Sequence, residues 1–286
     1  MRRVLLLLFL ASSLYGRLSS EPFISGDTFR AYANHVFDET GVNFDPAKVK
    51  EGDTIFVKVD FLENFFRAKH PYIKNRYVLI THNGDLPTPG VYVHYLNDRK
   101  IIAWFAQNVE NCIHTKLIPI PIGVANRYWG HGSFDILSEC SLLAKSKEKE
   151  HLLYMNINVG TYQQERQRVV NLFRNRSYVF ASREKPFKEY LLDLAASKFV
   201  LSPRGNGIDC HRTWEALYMG AIPIVRSSSS DLLYKGLPVL IVQDWEEITE
   251  ELLLQKWEEL SPLLQDLEPI YYPYWHARIQ KARAQA

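Results

Sequence analysis

Cysteine is scarce in this chain, with only Cys112, Cys140 and Cys210 among 286 residues. Three is few and odd in number, so a disulfide scaffold is not expected, although one bridge is permitted in an oxidising compartment. None of the spacings suits a zinc site, and the thiols read as small buried residues. An excess of either charge is also missing. Thirty-four lysines and arginines nearly balance 32 aspartates and glutamates, for a net charge of +2. Binding to a phosphate backbone needs a clustered basic surface, so nucleic acid is not expected as a partner. No apolar run reaches the roughly 20 residues of a membrane span. Internal repeats are absent, and the serine run Ser227–Ser230 is the one low-complexity tract.

What remains is an ordinary folded composition, 47% hydrophobic and 13% aromatic, which argues against a disordered or fibrous chain. The length allows one large or two modest domains. Arg2 and Arg3 precede the apolar run Val4–Leu10, followed by Ala11, Ser12, Ser13 and Gly16. This is the layout of a secretory signal peptide or short signal anchor over residues 1–20. If the segment is a signal, a secretory-pathway lumen (Golgi or ER) or the outside of the cell is expected, with membrane contact only if it stays uncleaved. Asn175-Arg176-Ser177 has the form of a glycosylation acceptor.

From about residue 50, short apolar runs alternate with amphipathic stretches. Thr54–Val57, Tyr77–Thr81, Ile101–Phe105 and Leu117–Ile122 are too short for buried helices and read as buried strands. In Asp60–Lys69, Phe61, Leu62, Phe65 and Phe66 share one helical face. The stretch from Trp129 to Glu150, ending in the charged run Lys145–Glu150, reads as a solvated connection. Beyond it the alternation sharpens. Strands are expected at Leu152–Asn156, Tyr178–Ala181, Phe199–Ser202, Ala221–Val225 and Val239–Val242. Helices are expected at Tyr162–Asn175, Phe187–Ala196, His211–Met219 and Trp245–Trp257. Such alternation means a parallel sheet covered on both faces. The chain thus divides into residues 21–145, residues 146–260 and an aromatic tail, 261–286, that returns as a helix and ties the halves together.

In sheets of this kind, ligands sit beyond the carboxyl ends of the strands, where loops meet helix N-termini. The loop after Phe199–Ser202 is the richest such place. Gly205 and Gly207 let the backbone approach a ligand or adopt positive φ. Asn206 lies between them, and the free amides of the next helix favour an anion such as a diphosphate. Arg204 and Arg212 add two forks suited to phosphate oxygens. Glu215, three residues after Arg212, shares its helical face and can accept both hydroxyls of a ribose. Asp209 and His211 are open between donor contacts and caps of the helix. Gly220 closes the helix. The serines Ser227–Ser230 read as either a donor-contacting or a plain solvated loop.

Here the sequence resembles the exostosin-like glycosyltransferases. Their C-terminal half carries Tyr-x3-Leu-x2-Ser-x-Phe-x-Leu-x-Pro-x-Gly, then Arg-x2-Glu-Ala and Gly-x-Ile-Pro-Val. This chain has Tyr190, Leu194, Ser197, Phe199, Leu201, Pro203 and Gly205, then Arg212, Glu215, Ala216, Gly220, Ile222 and Pro223. Leu237-Pro238 and Asp244-Trp245 extend the likeness, which is strong over about residues 186–250 and weaker over 77–130. The resemblance implies a GT-B-like α/β fold: two Rossmann-like halves facing each other across a cleft. It also implies a nucleotide-sugar donor, such as a UDP- or GDP-sugar, in the C-terminal half and a glycan acceptor in the N-terminal half. It implies no Asp-x-Asp metal site, no such triplet stands in the chain, and no cofactor is expected. Two features depart from the pattern. Cys210-His211 stands where many members have Ser or Thr, and eight positions before Glu215 lies Gly207, where retaining enzymes often carry a second glutamate. The latter agrees with inversion.

An inverting hexosyl- or pentosyltransferase needs a base within reach of the acceptor hydroxyl. Thr81-His82-Asn83-Gly84-Asp85, at the end of a strand, offers Asp85 or His82, although Asn83-Gly84 equally suits a plain turn. Asn83 and a second strand-end loop with Asn126, Arg127 and Trp129 are candidate acceptor contacts. A non-catalytic carbohydrate- or nucleotide-binding protein, and another nucleotide-sugar enzyme such as an epimerase, are the alternatives.

Overall fold

The computed structural model describes residues 18–40 and 44–285, so most of the expected signal segment lies outside the described residues. Two five-stranded parallel sheets carry the fold. The first contains β1 (His35–Phe37), β2 (Asp53–Lys58), β3 (Tyr77–His82), β4 (Ile101–Ala106) and β5 (Leu117–Pro119), side by side in chain order. The second contains β6 (His151–Met155), β7 (Val179–Ala181), β8 (Ser197–Leu201), β9 (Ile222–Arg226) and β10 (Leu240–Val242), in the order β10-β9-β8-β6-β7. The helices are α1 (Gly26–Tyr32), α2 (Leu62–Ala68), α3 (Phe134–Ala144), α4 (Gln163–Phe173), α5 (Phe187–Ala195), α6 (His211–Tyr218), α7 (Glu250–Leu260) and α8 (Tyr272–Arg283). This is the expected two-sheet α/β architecture.

The two sheets are covered differently. The second winds both ways from β6: α4 and α7 cover one face through Val169, Phe173 and Leu253, and α5 and α6 cover the other through Leu191, Leu194 and Trp214. The chain reverses between β6 and β8, so a crevice opens at their carboxyl ends. The first sheet winds one way only. Its own connections cover one face, with Phe65, Phe66 and Leu96 against Ile55, Leu79 and Trp104. The opposite face, with Phe56, Ile80 and Phe105, is closed by Phe29 of α1 and by Tyr272, Trp275 and Ile279 of α8. That apolar cluster continues without a break into the α5–α6 face of the second sheet. The Tyr218 hydroxyl fastens the seam, accepting from the Ile24 amide at 3.0 Å and donating to the Ile270 carbonyl.

Several local expectations are corrected. The strand expected over Leu117–Ile122 stops at Pro119, because Pro121 has no amide to offer a ladder. The stretch read as a solvated connection contains α3, which buries Leu137 and Cys140 against the α5 side of the core. Lys149, within the charged run, is turned inward to donate to the carbonyls of Ala195 (2.8 Å) and Met219 (3.3 Å), which end α5 and α6. A lysine there complements two helix C-termini at once. The helix expected over Trp245–Trp257 is broken at Ile248–Thr249, where Thr249 accepts from the Leu252 amide and caps α7. Ser228 and Asp231 form a reciprocal capping box, so the serine run is a built turn. Cys112, Cys140 and Cys210 are all free thiols.

Candidate active-site cleft

The crevice at the carboxyl ends of β6 and β8 opens into a cleft of about 940 Å³, walled by the loops after β6, β7 and β8 and by the first turns of α6. A second chamber of about 430 Å³ lies against the loops after β3 and β5. The two chambers share Asp85, Ile122, His131, Thr161, Asn206 and His211, which therefore stand where contents of the two would meet.

The loop after β8 is shaped by protein contacts. A side chain on Gly207 would strike the Asn108 amide at 2.6 Å, and one on Gly205 would press on the Arg166 guanidinium at 3.2 Å. Neither glycine has positive φ. Their smallness serves close packing of this loop on its neighbours. Arg166, which sequence reading passed over, donates to the carbonyls of Asn158 (2.8 Å), Arg204 (2.7 Å) and Pro203 (3.2 Å), stitching the β6 and β8 loops across the reversal point. One signal for it existed: it stands three residues before Val169, on the buried face of α4.

The structure separates the two arginines expected to act together. Arg204 lies over the Tyr162 ring at 4.7 Å, donates to the Asn206 carbonyl and stands 3.9 Å from the Glu110 carboxylate. It does not line the cleft. Arg212 does, and its Nε and Nη1 are buried with no hydrogen-bond partner among the described residues. A buried guanidinium without a partner costs several kcal/mol, about 3–5, unless something arrives to pair with it. On the next turn, Glu215 is buried and accepts from the Tyr190 hydroxyl at 2.9 Å.

Burial pushes the Glu215 carboxyl up to about 7, against the pull of the Tyr190 hydroxyl and the Arg212 charge. The folded value lies above the ordinary 4.5, so the folded chain holds this proton more tightly than the unfolded one. The stabilisation is fully present below about pH 4.5 and lost as the pH rises through 7. Wild-type thermal stability should therefore decline between about pH 5 and pH 8 more steeply than that of Glu215→Gln. Melting curves across that range with equal slopes for the two proteins would contradict this.

Asp209 faces the cleft but has nothing left to offer a ligand. It accepts from the amides of Ile122 (2.8 Å) and Cys210 (2.9 Å), the Trp214 indole (2.9 and 3.0 Å) and the Tyr234 hydroxyl (3.2 Å). It is a joint between the halves. His211 opens α6 and donates from Nδ1 to the Gly123 carbonyl at 2.7 Å.

In the other half, His82 is spoken for on both nitrogens. Nε2 donates to the Pro121 carbonyl at 3.1 Å and Nδ1 accepts from the Asn83 amide at 2.8 Å. Burial drives its ring down to about 4. Asn83 and Asn126 line the smaller chamber, yet Asn126 donates to Asn83 Oδ1 (3.0 Å) and accepts from the Asp27 amide (2.9 Å). They seat α1 more than they face outward. Arg127 leaves the chamber and lies over Phe134 at 5.6 Å. Trp129, half exposed, lines the chamber and stacks on His131 with centroids 6.0 Å apart. Asp85 stands at the junction, and Asn206 Nδ2 reaches it across the cleft at 3.3 Å. Of the residues picked from the sequence, Asp85, Asn206, His211, Arg212, Glu215 and Trp129 are thus brought around one cleft with polar or aromatic surface toward it. Among the described residues no group of three or more His, Cys, Asp or Glu side chains forms a metal cage, and no helix is long and apolar enough to cross a membrane.

Residues 143–269 match the family model described as the RXYLT1 C-terminal domain. Over those residues the chain is similar to that domain, and the matched stretch contains the exostosin-like motifs at 186–250. Among solved structures, the chain is similar to an alpha,alpha-trehalose-phosphate synthase (UDP-forming) from Burkholderia vietnamiensis. The identity is 11% and the TM-score 0.43, over 83% of this chain and 72% of that one. It is similar also to the catalytic domain of starch synthase IV from Arabidopsis thaliana bound to ADP and acarbose, with 11% identity and a TM-score of 0.43 over 82% and 73% of the two chains. A further likeness is to a chain of the GtfA/B complex, with 9% identity and a TM-score of 0.41 over 82% of this chain; it spans 58% of that chain's length.

Proposed function

We propose that this chain is an inverting glycosyltransferase that moves a hexosyl or pentosyl group from a nucleotide sugar to a hydroxyl of a glycan acceptor. The observation that carries the reading is Arg212, a cleft-facing guanidinium with buried, unpartnered nitrogens at the N-terminus of α6. A diphosphate supplies the missing acceptors, and the first-turn amides of α6 add to its binding. Glu215, one turn further on, takes the ribose hydroxyls. The donor's sugar then points to the junction, where the Asp85 carboxylate, reached by Asn206 Nδ2 at 3.3 Å, assists removal of the acceptor proton, and the acceptor enters past Trp129. The match of residues 143–269 to the RXYLT1 C-terminal domain model supports the donor half of this reading. A secretory-pathway lumen is the compartment in keeping with the N-terminal segment.

Titration calorimetry with a panel of nucleoside diphosphates tests it. At least one should bind, and Glu215→Ala should weaken that one about tenfold or more, through the loss of hydrogen bonds to a charged group. No affinity for any member of the panel would sink the reading. Formation of a glycoside, as opposed to a free altered nucleotide sugar, separates transfer from epimerisation.

A further inference from the structure

His211 sits where the two chambers join, and its ring is held in one defined state. Its Nδ1 is 2.7 Å from the Gly123 carbonyl. A carbonyl can only accept, so Nδ1 carries the hydrogen and, in the neutral ring, Nε2 carries the lone pair. The anchor is rigid. Gly123 has φ +66°, and a side chain there would lie 2.1 Å from the Ile24 carbonyl, which already accepts from the Val124 amide at 2.8 Å. The backbone of one half thus aims a side chain of the other. Nε2 has no hydrogen-bond partner among the described residues, and the ring lines both chambers.

The other candidates around the two chambers, His82, Asp209 and His131, are less suited. His82 uses both nitrogens within the fold and Asp209 is saturated by protein donors. His131 stacks on Trp129, and among the described residues no hydrogen bond anchors its nitrogens or selects a tautomer. The titratable neighbours of His211 are Asp85, whose charge favours an imidazolium, and His131 and His82, which oppose one. Burial holds the ring neutral, down to about 4, so the lone pair is present across the physiological range.

We infer that His211 Nε2 receives the proton of the acceptor hydroxyl, with Asp85 as the carboxylate that stabilises the resulting imidazolium. The inference rests on the transfer reading given above. In the step, the acceptor O–H bond breaks and its proton goes to Nε2. The oxygen's electron pair forms the bond to the anomeric carbon. The bond from that carbon to the diphosphate oxygen breaks, and its pair leaves on the nucleoside diphosphate, next to Arg212. The imidazolium returns its proton to solvent as the product departs.

Three variants of the full chain test this, using nucleotide-sugar donors with aryl glycosides as acceptors, and the matching nucleoside diphosphate for binding. His211→Asn keeps an amide donor for the Gly123 carbonyl but has no Nε2 lone pair. It should bind the nucleoside diphosphate within about threefold of wild type and lose about 10²- to 10⁴-fold in kcat. His211→Ala should lose as much, and added imidazole should restore part of its transfer, which a merely structural role would not allow. Asp85→Asn should lower kcat with His211 intact. Transfer by His211→Asn at the wild-type rate, or no rescue of a folded His211→Ala by imidazole, overturns the assignment alone. A wild type that binds no nucleoside diphosphate, or transfers nothing, overturns the reading beneath it.

Discussion

Arg212→Leu is expected to weaken nucleoside diphosphate binding by about two to three orders of magnitude, the cost of removing one partner of a desolvated charge pair. The same change should leave the melting temperature of the ligand-free protein unchanged or raise it. Among the described residues Arg212 has two buried nitrogens without partners, so an apolar side chain of similar volume relieves a desolvation cost. For a chain of this size each kcal/mol relieved is worth about 2–4 °C. Arg166→Leu provides the contrast. Arg166 is satisfied by three backbone carbonyls, and its loss removes the guanidinium that joins the β6 and β8 loops through them. That variant should melt well below wild type. Calorimetric titration and scanning fluorimetry on the pair decide the matter. An Arg212→Leu protein that keeps its nucleotide affinity, or melts markedly lower, would show that Arg212 serves the fold and not a ligand.

Asp209→Ala should produce the largest loss of stability of any single change at the cleft, about 3–5 kcal/mol. Alanine leaves the amides of Ile122 and Cys210, the Trp214 indole and the Tyr234 hydroxyl without their shared acceptor in a buried position. Ile122 belongs to the first half of the chain and the other three donors to the second. The loss should therefore fall on the docking of the halves, and limited proteolysis should cut sooner in the loop around Gly123. Urea unfolding followed by tryptophan fluorescence measures the difference. A midpoint within error of wild type would mean that the joint is not under load.

Pattern alone was enough for much of the second half. Short β-rich runs between helices with a 3.6-residue apolar period admit few arrangements besides a parallel sheet covered on both faces. The strand order that reverses at β6 then puts the site at strand ends where the glycine- and arginine-rich loop lies. The first half was harder. β1 is three residues with one fully buried side chain, too short to leave a periodic trace. The one-way winding of its sheet is invisible in sequence, because the residues that cover its second face lie in α1 and, more than 150 positions beyond the sheet, in α8.

Residue type and spacing by themselves determined which side chains are near the candidate site: Arg204, Asp209, His211, Arg212 and Glu215 follow one strand end, and Asp85 another. Only the tertiary structure decided what each is free to do. Arg204 turned to an aromatic ring, Asp209 and His82 spent their hydrogen-bonding capacity on the protein, and Gly205 and Gly207 yielded space to Asn108 and Arg166. Among the described residues, Nε and Nη1 of Arg212 and Nε2 of His211 were left without partners. The physical reason is that a polar group's availability depends on whether a complementary group reaches it. Here several of those groups come from the other half of the chain, about 90 to 120 positions away in sequence.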